Sequence, residues 1–137
     1  MTISIEVTVN APLQDVWNGW ATPSDITCWN FAIDSWCCPS AKVDLRKGGK
    51  IYSRMEAKDG SMGFDFGGEF TDIEPLKLIR FKLDDDRMVQ VEFIETAEGI
   101  RVVETFDAEN ENSAEQQRQG WHAILNNFKK HVESKCS

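Results

Sequence analysis

The sequence predicts an α+β fold: a curved antiparallel sheet of about six or seven strands, one long C-terminal helix, and two short helices after the first strand. Three observations predict it. From Lys50 to Asp107, segments that alternate apolar and polar residues are joined by links too short for parallel crossovers, so neighbouring strands must run antiparallel. After Ser113 the period becomes helical and gathers Ala114, Trp121, Ile124, Leu125, Phe128 and Val132 on one stripe. Between the first strand and the meander, Pro12 and Pro23 each stand where a proline is tolerated at a helix start.

The chain has 137 residues with no repeat, low-complexity tract or linker, which predicts a single domain over 1–137. A chain of that length buries roughly 70% of its unfolded surface, enough for a real core. Eight Phe and five Trp stand against one Tyr, so most large rings lack a hydroxyl and belong in interiors or apolar cavities. The net charge is −8 and no Lys/Arg cluster occurs, which argues against a nucleic-acid partner. Met1 to Asn10 has neither a basic nor an apolar leader region, and no run is long enough to span a bilayer. A cytoplasmic protein is expected.

Thr2 to Val9 reads as the first strand, with Ile3, Ile5, Val7 and Val9 on one face. Leu13, Val16, Trp17 and Trp20 then follow Pro12 at helical spacing. Thr22, as cap, opens a second helix with Pro23 and Asp25 in its first turn. Cys28 to Ser40 holds Trp29, Phe31, Ile33 and Trp36 without periodicity and reads as an aromatic loop; Ala41 to Leu45 adds a short strand. Gly48-Gly49 turns the chain into the meander. Its strands are Ile51–Ala57, Ser61–Ile73, Lys77–Leu83, Arg87–Glu95 and Ile100–Asp107. Asp59-Gly60 is a hairpin signal, and Gly63, Gly67 and Gly68 predict a bulge or bend in the longest strand. The final helix runs from Asn112 to Cys136, with Ser113 and Gln116 as a reciprocal cap.

Clean alternation sends Ile51, Ser53, Met55, Phe64, Phe66, Phe70, Ile79, Phe81, Val91, Val102, Glu104 and Phe106 to the inner face. Glu104 is the charged exception. A carboxyl in that phase must be paired, solvated, or protonated by desolvation. On the helix, Gln117 and Arg118 lie one turn before Trp121 and within about fifty degrees of its direction. One lone helix cannot cover a broad curved sheet, so a cavity is expected between the two. Phe66, Phe106, Trp121 and Leu125 would wall it, with Glu104, Gln117 and Arg118 as its polar end.

Other readings stay open. Glu104 and Arg118 pair with each other in one, and a bulge in the last strand turns Val103 and Thr105 inward in another. Trp29, Phe31 and Trp36 either close one mouth of the cavity or plug the end of the sheet. His122 and His131 have no nearby Ser, Cys or carboxylate at a triad or metal spacing. The four cysteines lack zinc spacing and are expected as thiols, so no metal and no cofactor is called for.

A set of ordered motifs resembles a known family along nearly the whole chain. These are Ala11-Pro12 with Val16-Trp17, Trp29, Asp44-Leu45-Arg46-Lys47-Gly48-Gly49, Asp59-Gly60, Glu74-Pro75 and Gly120-Trp121. The order of elements resembles the helix-grip fold of the START/SRPBCC superfamily, which includes polyketide cyclases and the birch-pollen allergen. The motifs resemble its branch named for the activator of heat-shock protein 90 ATPase. Ile100, where relatives often carry threonine, and the Cys37-Cys38 pair depart from that pattern. The resemblance implies a cavity for a lipid, polyketide or similar apolar molecule. It fixes no activity, because superfamily members include carriers, cyclases, hormone receptors and co-chaperone domains; the alternatives are a protein-interaction module of the chaperone-activator kind and a cyclase or hydrolase with Glu104 as general acid or base.

Overall fold

The structure is a computed structural model that describes residues 1–135. Among these residues the chain forms β1 (Thr2–Val9), α1 (Leu13–Ala21), α2 (Pro23–Trp29), β2 (Trp36–Val43), β3 (Lys50–Ala57), β4 (Gly63–Glu74), β5 (Leu78–Leu83), β6 (Met88–Thr96), β7 (Gly99–Asp107) and α3 (Ala114–Lys135). The strands make one antiparallel sheet in the order β1-β7-β6-β5-β4-β3-β2. It curls into a half-barrel around α3, a helix-grip-like α+β architecture. Cys136, the expected end of the last helix, lies outside the described residues.

Alternation sets the phase of each strand. Ile3, Ile5, Val7 and Val9 are buried while their neighbours are exposed, and β6 and β7 repeat the pattern with Val89, Val91, Phe93, Ile100, Val102 and Phe106. Glu104 keeps that register, paired across from Ile5 and Val91, so Val103 and Thr105 do not turn inward.

Three local expectations change. β2 begins at Trp36 rather than Ala41, which shortens the aromatic loop to residues 30–35; its register shifts between Cys37 and Ser40, the irregularity that hid the strand. Pro39 is tolerated there because β2 is an edge strand. The irregularity in β4 falls between Phe70 and Asp72, beyond Gly67 and Gly68, which pair in regular register with Tyr52 and Ile51. Thr22 occupies the cap position of α2 but gives it only backbone bonds, its carbonyl accepting from Asp25 and Ile26 at 3.0 Å each.

α3 is anchored differently along its two halves. At its start Ser113 Oγ accepts from the Gln116 amide at 3.1 Å and Gln116 Oε1 accepts from the Ser113 amide at 3.4 Å, the reciprocal cap read from the sequence. Its C-terminal half packs tightly on α1 and α2: a Cβ on Gly19 would sit 2.7 Å from Val132 Cγ2, and Trp29 meets Phe128 edge-on at 5.2 Å. Asp25, 7% exposed, locks this junction by accepting from His131 Nε2 at 2.8 Å and Lys135 Nζ at 2.6 Å. Burial acts to raise the Asp25 carboxyl, but these two hydrogen bonds override it and hold it below the ordinary carboxylate value.

The outer face of α3 covers the free edge of β1. Arg118 Nη1 donates to the Ser4 carbonyl at 2.9 Å, His122 Nε2 to that of Glu6 at 3.3 Å, and Lys129 Nζ to that of Thr8 at 2.6 Å. Alternate carbonyls that would otherwise invite another strand are thereby occupied. Asn126 Nδ2 donates to His122 Nδ1 at 3.2 Å, which fixes the ring tautomer with its hydrogen on Nε2.

Candidate functional site

Burial along α3 shows where packing runs out. Leu125, Phe128 and Val132 are buried, whereas Gly120, Trp121 and Ile124, on the same stripe one or two turns earlier, are only partly so. Beneath them lies a cavity of about 450 Å³ between α3, α2 and the sheet. Sites for small molecules occupy roughly 300–1,000 Å³. Its lining is mostly apolar. Trp20 and Phe81, 5.8 Å apart, and Ile51 and Met55 belong to the sheet and α1 side, while Trp121, Ile124 and Gly120 close it from α3.

Trp29 lines the cavity from the end of α2, held by its Nε1 donating to the Gly19 carbonyl at 2.9 Å. Phe66 and Trp121 line it too, meeting edge to face at 6.0 Å. Phe106 stands behind Trp121, stacked on it at 4.0 Å with 10° between the ring planes, and so supports a wall rather than forming one. Leu125 is core further along α3, 2% exposed. Phe31 and Trp36 are outside the lining: the Phe31 carbonyl accepts from Asn127 Nδ2 at 2.6 Å, and the Trp36 ring sits 5.9 Å from Phe64 at the mouth.

The expected polar end comes apart into three different roles. Gln117 borders the cavity, but its amide is committed to the β7–α3 connection. Oε1 accepts from the Glu109 amide at 2.8 Å, and Nε2 donates to the carbonyls of Asn112 at 2.9 Å and Glu109 at 3.2 Å. Arg118 is one residue and therefore about a hundred degrees further round, on the β1 edge; it is outside the cavity and makes no ion pair with Glu104.

Glu104 alone faces the void. It is 8% exposed, it lines the cavity, and among the described residues its carboxyl has no hydrogen-bond or ion-pair partner. Desolvation by burial pushes its pKa up to about 8. In the empty cavity at neutral pH it is a carboxylic acid, a hydrogen donor in an apolar room. The other charged lining groups are already held. Arg87 Nε donates to Asp85 Oδ2 at 2.7 Å, and Glu109 Oε1 accepts from the Asn112 amide at 3.1 Å.

Several lining residues were readable as inward but not as cavity walls, among them Trp20, Ile51, Met55 and Phe81. Periodicity tells which face a side chain takes; only the curl of the sheet decides whether that face meets protein or empty space. Arg87, Glu109, Asn112 and Gln116 come from turns and a helix start that no inward phase marks. Ser53, in phase and lining the cavity, is 2% exposed.

A half-barrel gripping a long helix, with a half-open, mostly apolar cavity and one acid unpaired among the described residues, defines a helix-grip protein with a ligand-sized cavity. Residues 10–133 match the family model described as Activator of Hsp90 ATPase homolog 1-like protein, and the chain belongs to that family. The solution structure of an AHSA1-like protein from Aeromonas hydrophila shares 44% identity, covering 98% of this chain and 94% of that one, with a TM-score of 0.92. A Cytophaga hutchinsonii protein shares 42% identity over 98% of this chain and 93% of its own, with a TM-score of 0.84. A Chromobacterium violaceum protein at 20% identity, covering 97% of this chain and 98% of its own, has the same fold with a TM-score of 0.86. No functionally curated protein matches the chain. No helix among the described residues is long and apolar enough to cross a membrane.

Proposed function

We propose that this protein binds a small, mostly apolar ligand in the cavity between α3 and the sheet. One observation carries the reading: a half-open cavity of about 450 Å³ lies between α3 and the sheet, walled by aromatic rings and bordered by a buried carboxyl with no partner among the described residues. Water in such a cavity contacts apolar walls, and a guest of matching shape displaces it favourably. Trp29, Phe66 and Trp121 form the walls and Glu104 fixes orientation, the arrangement by which small-molecule sites combine apolar capacity with a few polar groups. A thermal-shift screen and native mass spectrometry with lipids and aromatic polyketides test it. Ligand-dependent stabilisation is expected; its absence across the panel would refute the reading.

The family's description favours a second reading, contact with a chaperone ATPase. The net charge of −8 supports it, since an acidic surface steers towards a basic partner. A pull-down with the host's chaperone that captures nothing at low salt would remove it.

A further inference from the structure

The walls and the carboxyl together restrict which ligands fit. Three charged groups border the void, Arg87 from the β5–β6 turn, Glu109 from the β7–α3 connection and Glu104 from β7. The first two are engaged, by Asp85 and by Asn112. The lining residues from α1, α2, β3, β4 and α3 are uncharged. Among the described residues Glu104 is therefore the lining group of acidic type that has no hydrogen-bond or ion-pair partner, in a cavity it shares with Trp20, Trp29, Phe66, Phe81 and Trp121.

We infer that the cavity selects an apolar amine, whose hydrocarbon body fills the void and whose ammonium pairs with Glu104. This rests on the binding reading above and narrows its ligand class.

The chemistry separates three kinds of guest. An anion such as a fatty acid accepts a hydrogen bond from the protonated Glu104, but its own charge then sits desolvated among aromatic faces, and the one cation in the lining, Arg87, is already bonded through Nε to Asp85. A neutral ligand with a hydroxyl or carbonyl would accept one ordinary hydrogen bond from the Glu104 acid. An ammonium makes a charge-assisted bond with the carboxylate, about twice as strong as a neutral one, at a group only 8% exposed. It also gains from the electron-rich faces of aromatic rings, of which Trp is the strongest partner. The net charge of −8 raises the local concentration of cations and lowers that of anions.

Proton balance gives the inference a signature. In the empty cavity Glu104 holds its proton at neutral pH because it is desolvated. An amine arrives from water already protonated, so pairing leaves one ammonium and one carboxylate and returns roughly one proton to the buffer per ligand bound. A neutral guest leaves the proton on Glu104 and releases none.

The experiment uses three probes with the same ring system: naphthylmethylamine, naphthylmethanol and naphthoic acid. Each is titrated calorimetrically into the full chain at pH 7 in two buffers of different ionisation enthalpy, which yields affinity and proton release together. The expected result is an amine bound at least about tenfold more tightly than the alcohol, an acid bound most weakly, and proton release of nearly one for the amine alone. Glu104→Gln is expected to bring the amine down to the alcohol's level. The proton count needs only the wild-type chain, so the test stands even if that variant folds poorly. Equal binding of amine and alcohol without proton release would overturn the charge assignment while leaving the binding reading intact. Failure of all three probes to bind would overturn both.

Discussion

Replacing Glu104 with glutamine changes how stability depends on pH, and the structure sets both sign and size. In the unfolded chain the Glu104 carboxyl titrates near 4.5; in the folded protein burial holds it to about 8. Between those values the unfolded state gives up a proton that the folded state keeps, so folding loses stability as pH rises through the window. Below 4.5 the loss is absent; above 8 it is complete and constant. At about 1.4 kcal/mol per pH unit the full span amounts to roughly 5 kcal/mol. That is a large share of the roughly 5–15 kcal/mol that holds a typical domain together, so even a half-sized effect would be plain. Glutamine keeps the shape and does not titrate. Urea unfolding of both proteins at pH 5, 6, 7, 8 and 9 should therefore show the variant gaining on the wild type by up to about 1.4 kcal/mol per unit until the curves run parallel near pH 8. Other titrating groups are common to both chains and cancel in the difference. A flat difference would refute the desolvated acid, and a variant that loses ground with rising pH would mean a Glu104 carboxylate stabilised by a partner.

Three further outcomes follow from the packing around α3. Asp25→Ala should cost about 2–3 kcal/mol in urea unfolding at pH 7, because it strips the hydrogen bonds of His131 and Lys135 from a carboxylate that ties α2 to α3. Since the Asp25 pKa is depressed in the folded state, that contribution is present above about 3.8 and should fade as the pH falls below it. Gly120→Ala should raise stability by about 1 kcal/mol, since a Cβ there meets no atom within 4 Å and alanine is the better helix former; thermal unfolding checks it. Replacing Arg118, His122 and Lys129 together by alanine exposes the β1 edge, and light scattering after gel filtration should show self-association that the single variants show less.

Period-two alternation made most of the sheet legible. It placed Ile3 to Val9 and Ile100 to Phe106 in phase, and with them Glu104, whose charge among apolar neighbours was visible as an anomaly before any geometry. The capping pair Ser113 and Gln116 gave the start of α3 for the same reason: its chemistry is local. β2 was not legible, because WCCPSAKV has no alternation and the register shifts within it. His131 looked isolated in sequence because its carboxylate, Asp25, is more than a hundred residues away. Gln117 and Arg118 show the limit of a helical wheel. Both lie within one turn of Trp121, yet one turns to the chain connection and the other to the strand edge, since adjacent helical residues diverge by about a hundred degrees.

The acid and the void are one energetic unit. Phe106 stacks on Trp121 and Gln117 ties the β7–α3 connection, contacts that α3 would have to break to settle deeper into the cavity. The fold therefore keeps a cavity between α3 and the sheet and, bordering it, a carboxyl with no partner among the described residues. Apolar walls in contact with water and a desolvated acid both lower the stability of the unliganded protein, and both are relieved by the same event, entry of a guest that displaces the water and answers Glu104. Binding to the folded state alone raises stability by mass action, so the relief appears directly as a thermal shift. A guest that only fills space recovers the packing part and keeps the pH dependence. One that also pairs with Glu104 removes the fall in stability between pH 4.5 and 8, and that difference in pH profile tells the two apart on the unmodified chain.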